Sequence, residues 1–172
     1  MRWQKKINFS DLFSLPLGEG CILRLLVRRV HAASVQVAGS VVGQIGHGLL
    51  VYIGIEKMDQ VTDLEWGSKK ILGLRIFDDN EGKMNLPVRD DMGILVVSQF
   101  TLCGNLKKGY RPSFNKAAPP SLAISLYGKF LEILGNSFGG NLETGEFGAH
   151  MNIEMKEDGP VTIWLDSQNK SY

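Results

Sequence analysis

The sequence predicts an α/β (α+β) domain, a mixed β-sheet curled toward a barrel with two main helices. Three observations carry this. Apolar runs of strand length recur along the chain, at residues 23–30, 48–55 and 93–99 among others. Two segments only, 59–72 and 121–134, repeat apolar residues at helical spacing. Both helical segments lie between blocks of strands, the order expected of a mixed sheet. Twenty glycines in 172 residues fit the tight turns such a chain needs.

The elements follow in order. Residues 23–30 read as a first strand. Residues 34–37 and 41–45 read as a hairpin about the Ala38-Gly39-Ser40 turn. The run GLLVYIGI from Gly48 is a strand buried on both faces. Asp59 is placed to cap the first helix, whose stripe is Val61, Leu64, Ile71 and Leu72, and Gly73 to end it. Residues 74–77 form a short strand, 78–82 a turn and 93–99 a strongly apolar strand. A long loop from Cys103 to Pro120 follows, and loops of that length in compact domains are usually functional. Ser121 is placed to cap the second helix, with Leu122, Leu126, Phe130 and Ile133 on its stripe. Residues 135–140 read as a loop, 151–156 as an alternating strand and 161–166 as the last strand.

Composition narrows the function classes. Hydrophobic residues make up 44% and charged residues 22%, as in ordinary soluble domains. A net charge of +1 argues against a wide grip on duplex nucleic acid, though not against contact with a short single-stranded end. Cys21 and Cys103 lack metal spacing and read as free thiols. His31, His47 and His150 stand far apart and form no ligand motif, so no metal and no cofactor are expected. No run reaches membrane-spanning length, and the basic start lacks an apolar signal core, so the chain reads as cytoplasmic with no membrane partner.

Four motifs offer chemistry, each with a plain structural alternative. Ser98-Gln99-Phe100-Thr101 ends an apolar strand. Its hydroxyls either cap backbone groups or handle an ester, and Ser98 and Thr101 reach one pocket only if the chain bends. A serine-hydrolase elbow is absent, because Val97 precedes Ser98. Gly159-Pro160 is either a turn or a cis peptide whose two carbonyl oxygens can accept from an ammonium group. Lys107, Lys108 and Arg111 with Tyr110 and Phe114 form either a solvated loop or a phosphate-and-stacking surface for an RNA end. Phe147, Gly148 and Met151 fit core packing as well as ligand contact.

In combination these motifs resemble the D-aminoacyl-tRNA deacylases. The ordered blocks are Arg29-Val30 with Ala33-Ser34-Val35, Gly46-His47-Gly48-Leu49-Leu50-Val51, and Lys70-Ile71-Leu72-Gly73-Leu74-Arg75-Ile76-Phe77. They continue with Gly82-Lys83-Met84-Asn85, Val97-Ser98-Gln99-Phe100-Thr101-Leu102 and Arg111-Pro112-Ser113-Phe114. Thr144-Gly145 with Phe147-Gly148-Ala149, and Asp158-Gly159-Pro160-Val161-Thr162, complete the set. The resemblance spans residues 23–168 as one deacylase domain and leaves 1–22 as an extension outside the family pattern. Leu23 stands where the family's initiator methionine stands, which fits a start at that position.

The resemblance implies a chiral proofreading hydrolase that cleaves the ester of D-aminoacyl-tRNA and also clears glycyl-tRNA(Ala). It implies a homodimer in which Gly159 and Pro160 of one subunit enter the other's site and exclude L-side chains by a clash. The 3′ end of aminoacyl-tRNA is the implied partner. Ser98, Gln99 and Thr101 carry the catalytic position. Phe100, Phe147, Gly148 and Met151 join Gly159 and Pro160 in binding substrate, and Arg29 supports the Gly-Pro motif. Thr101 as nucleophile and a route assisted by the terminal 2′-hydroxyl are the two mechanisms; the lack of a recognisable base favours the second. Glu157 stands where the family usually has asparagine, and no role is carried onto it. The alternative function is a non-catalytic module that binds the aminoacyl-tRNA end.

Overall fold

The computed structural model describes residues 23–170; the extension 1–22, with Cys21, lies outside the described residues. Eight strands and two α-helices follow in order: β1 Arg24–Val37, β2 Ser40–Ile45, β3 Gly48–Gly54, α1 Val61–Gly73, β4 Phe77–Asp78, β5 Met84–Leu86, β6 Gly93–Ser98, α2 Pro120–Ser137, β7 Asn141–Thr144 and β8 Asn152–Asp166. Six of the strands form one mixed sheet in the order β2-β1-β3-β6-β7, with β8 on the other edge of β1. The β3–β6 and β6–β7 pairs are parallel. The sheet curls until β2 meets β7, where a Cβ built on Gly43 would stand 2.3 Å from the Thr144 carbonyl oxygen. The expected α+β class and nearly closed sheet are therefore present.

The curl produces two apolar layers. Leu25, Val27, Leu49, Val51, Ile94 and Val96 face the helices and pack against Leu64, Ile71, Leu126, Phe130 and Leu134. Val30, Ala33, Val35, Ile45, Leu50, Leu95 and Val97 fill the barrel side. Strands β3 and β6 supply alternate residues to both layers, which is why they read as unbroken apolar runs.

Several local expectations need correction. The two strands expected at 23–30 and 34–37 are one 14-residue strand, β1. It survives the change of layer because His31 is an extra residue opposite β8, and such a bulge bends the strand without ending it. Asp59 does not cap α1; its Oδ2 accepts from the Glu56 N–H at 2.7 Å in the preceding turn. Gln60 is the cap residue, in a reciprocal capping box with Asp63. Ser121 does not cap α2: the cap residue is Pro119, and the helix begins at Pro120, whose missing N–H costs nothing in a first turn, and runs into the expected loop as far as Ser137. Residues 74–76 are not strand, and β5 and β7 were not anticipated.

The Gly159-Pro160 segment is not a reversal between two strands. Residues on both sides of it pair with β1 in the same antiparallel sense, as Arg28↔Thr162 and Val30↔Glu157. Four residues of β8, from Asp158 to Val161, thus stand against Arg29 alone, and the middle two bulge outward. The Gly159–Pro160 peptide is cis, and both residues are exposed.

The parallel β3–β6 pair rests on a close approach of two glycines. A Cβ at Gly48 would stand 1.8 Å from the Gly93 carbonyl oxygen, while one at Gly46, in the same turn, would meet nothing within 4 Å. Gly48→Ala is expected to cost about 3 kcal/mol by forcing the strands apart. Gly46→Ala is expected to change stability by no more than about 0.5 kcal/mol. Urea unfolding midpoints of the two variants check the contrast; equal midpoints would refute it.

A cleft at the end of the parallel strands

The chain leaves β6 at Ser98 and turns at once into a 3₁₀ turn, Phe100–Cys103. The chain bends here as a shared pocket would require, but of the two hydroxyl residues only Ser98 lines the cleft. The turn is held from two sides. Gln99 N–H donates to the Ile53 carbonyl at 2.7 Å. The Arg24 guanidinium donates to the Leu102 carbonyl at 2.8 Å and lies 3.2 Å from the Glu56 carboxylate. The N–H groups of Phe100 and Thr101 come before the turn's first internal bond, from Leu102 N–H to Gln99 O at 3.2 Å. As in any helical first turn, these donors are left for another acceptor.

Beside this turn lies a cleft of about 640 Å³. Ser98, Gln99, Phe100, Phe147, Gly148 and Met151 all line it, with Ile53, Ile55, Phe114 and Ile153 as apolar wall. Six predicted site residues are thus brought together from segments up to 53 residues apart in sequence. Thr101 does not line the cleft; it is exposed on the adjoining turn, its hydroxyl accepting from the Gln99 side-chain amide. Phe147 is set by Tyr127 of α2, ring centroids 5.6 Å apart, and the Tyr127 hydroxyl donates to the Val96 carbonyl at 2.9 Å. Phe100, 59% exposed, packs edge-on against Phe114 at 5.0 Å. A protruding loop flanks the cleft: Asn105 and Ser113 exchange two backbone hydrogen bonds, at 2.8 and 2.9 Å, and Lys107, Lys108, Tyr110 and Arg111 between them are exposed.

Gly159, Pro160 and Arg29 do not line the cleft. Arg29 is four residues along β1 from Leu25, which pairs with Ile53, the neighbour of Ser98 on β6. At roughly 3.4 Å per residue that is about 14 Å along the sheet. Arg29 is buried, and its guanidinium donates to the Asp158 carbonyl at 3.1 Å and to the Ile76 carbonyl at 2.6 Å. It also pairs with the Asp158 and Asp78 carboxylates at 3.2 and 3.3 Å. Arg29 thus contacts Asp158, the residue before Gly159, and neither Gly159 nor Pro160 directly. A side chain at Gly159 would put its Cβ 2.1 Å from the Val161 nitrogen, so the bulge requires glycine there. Glu157 also has a partner, since Arg28 Nη2 reaches its Oε1 at 2.6 Å.

Sequence reasoning missed one constellation. His31, His47 and Asp158 have ligand atoms within 4.8 Å of one another. Their sequence separations gave no signal; the bulges of β1 and β8 and the β2–β3 turn bring them together.

Residues 26–166 match the D-Tyr-tRNA(Tyr) deacylase family, and the chain belongs to that family. A D-aminoacyl-tRNA deacylase of Petrotoga mobilis is 50% identical over 147 residues, 85% of this chain and 98% of that protein. That of Parabacteroides distasonis is 52% identical over 149 residues, 86% and 99% of the two chains. Among solved structures, the c-Myc DNA Unwinding Element Binding Protein superposes with a TM-score of 0.78 at 41% identity, covering 83% of this chain and 97% of its own.

Cys103, close behind the cleft, is 1% exposed, and burial pushes its thiol up to about 12, with the Glu56 carboxylate adding to the effect. At pH 8 the thiolate fraction is therefore about one part in ten thousand. Cys103 in the folded protein is expected to resist iodoacetamide for hours and to react within minutes in denaturant, read by peptide mass. Rapid labelling of Cys103 without unfolding would contradict this environment.

Proposed function

We propose that the protein hydrolyses the ester joining a D-amino acid to the 3′ end of tRNA, releasing both. The observation that carries this reading is the gathering of Ser98, Gln99, Phe100, Phe147, Gly148 and Met151 around one cleft, in a chain of this family. The cleft's apolar wall suits the terminal adenosine against Phe147 and Met151. The Phe100 and Thr101 N–H groups face no internal acceptor and suit the oxyanion of a tetrahedral intermediate. The exposed Lys107, Lys108, Tyr110 and Arg111 suit phosphates and bases of a single-stranded end.

In this reading the active unit is a homodimer. Gly159 and Pro160 sit about 14 Å along the sheet from the cleft of their own chain. A two-fold pairing brings each bulge to the other subunit's cleft and makes two equivalent sites. There the Gly159 and Pro160 carbonyls accept from the substrate ammonium and leave no room for an L-side chain. Glycine passes the same filter, so glycyl-tRNA(Ala) is a second substrate. The protein works where tRNA is charged, in the cytoplasm.

The exposed His150 also lines the cleft, but among the described residues no hydrogen bond joins it to the Thr101 hydroxyl, whose partner is the Gln99 side-chain amide. The reaction therefore draws on the 2′-hydroxyl of the terminal ribose to direct water at the carbonyl, with the 3₁₀ turn holding the developing negative charge. The leaving group is the ribose 3′-oxygen, which takes up the proton.

Two measurements test this. Deacylation of D-tyrosyl-tRNA is expected to outpace that of L-tyrosyl-tRNA by at least about 100-fold, a difference of roughly 2.7 kcal/mol in transition-state stabilisation. Hydrolysis of both would reject the chirality filter, and hydrolysis of neither would favour a module that only binds the RNA end. Thr101→Ala is expected to retain measurable turnover, falling by no more than about tenfold. Complete loss in a folded dimer would make Thr101 the nucleophile and reject the 2′-hydroxyl route.

A further inference from the structure

We propose that His31, His47 and Asp158 form a binding site for a divalent d-block cation of the zinc type. The site lies at the base of the Gly159-Pro160 bulge and is separate from the cleft. It does not rest on the deacylase reading, because it concerns the metal alone.

Three kinds of observation carry it. The first is donor chemistry: two imidazoles and one carboxylate are the ligand types that such cations prefer. The second is geometry. His47 Nε2 lies 3.2 Å from one Asp158 oxygen and His31 Nε2 lies 3.6 Å from the other. All three ligand atoms fall within 4.8 Å. Tetrahedral ligands at zinc-like bond lengths stand about 3.3 Å apart, so small side-chain rotations close the set around one ion. The fourth position faces solvent, since the two histidine side chains are 51% and 45% exposed.

The third observation is the support behind the ligands. His31 is the extra residue of the β1 bulge, which aims it toward β8. His47 is fixed in the β2–β3 turn: its carbonyl accepts from Gly93 N–H at 3.0 Å, and its ring packs edge-on against Phe77 at 5.3 Å. Asp158 is oriented by Arg29, whose Nε stands 3.2 Å from Oδ2. Hydrogen-bonded carboxylates of this kind are usual behind metal ligands. The Arg29 charge opposes a cation, but Asp78, 3.3 Å from its Nη1, offsets it. On binding, each Nε2 offers its lone pair and the neutral imidazole keeps its proton on Nδ1. The bound ion ties β8 to β1 and to the β2–β3 turn beside Gly159.

The test uses the full chain, freed of metal by chelation, and Zn²⁺ alone as the probe in calorimetric titration. One equivalent per protomer is expected. His31→Ala and His47→Ala are each expected to weaken it at least tenfold, while His150→Ala leaves it unchanged. Melting curves without metal establish that these variants, altered at half-exposed positions, are folded; His31→Gln serves in place of any that is not. Co²⁺ is expected to give the visible bands of a tetrahedral nitrogen-and-oxygen site without a thiolate charge-transfer band. No binding by the full chain, undiminished binding by the His31→Ala/His47→Ala double variant, or a thiolate band would each overturn the proposal.

Discussion

The structure turns on what a single buried arginine does to the longest strand pair. A guanidinium taken out of water must have its N–H groups matched, or the fold loses several kcal/mol. Arg29 meets that demand with the Ile76 carbonyl, the Asp158 carbonyl and two carboxylates. Doing so draws Asp158 inward beside β1. The next residues of β8 have no β1 partner left and are pushed out as the Gly159-Pro160 bulge. The same arginine thus anchors the segment that projects and the turn before β4. Its neighbour Arg28 pairs with Glu157 on the other side of the strand, so the bulge starts from a doubly charged clamp.

The cleft is built by a different device. Parallel strands β3 and β6 end together, and the 3₁₀ turn begins where β6 stops. Arg24 and Glu56 brace that turn from the first residue of β1. One strand therefore carries both supports, Arg24 under the cleft and Arg29 under the bulge. Their spacing is fixed by the rise of an extended chain, which no loop motion alters. Site parts held on rigid elements keep their geometry without needing the substrate to arrange them.

Much of this was legible from the residues. The double-sided apolar runs of β3 and β6 and the stripe of α2 marked the core. The Ser98–Thr101 motif marked the end of β6, whereas Gly159-Pro160, read as a turn or strand end, lies in the middle of β8. What escaped has physical reasons. Asp59 and Gln60 are both able to cap, and only the turn with Glu56 decides that Asp59 is already committed. Strand β7, Asn-Leu-Glu-Thr, is short and partly polar, and its strand character comes from pairing with β6 rather than from its own pattern. The break of layer within β1 looked like the end of one strand and the start of another, because a bulge and a loop leave the same mark on alternation. The His31, His47 and Asp158 grouping depends on long-range register, which local spacing does not encode.

Among the described residues, β8 pairs with β1 alone, so a 15-residue strand presents an open outer edge. Such edges recruit further strands and can seed fibres. Here the edge is interrupted at its middle by the bulge, Pro160 lacks an N–H to offer, and Glu154 and Lys156 add exposed charge. An incoming strand finds no continuous ladder to extend. The feature that reaches outward also denies an incoming strand the unbroken edge that indefinite polymerisation needs.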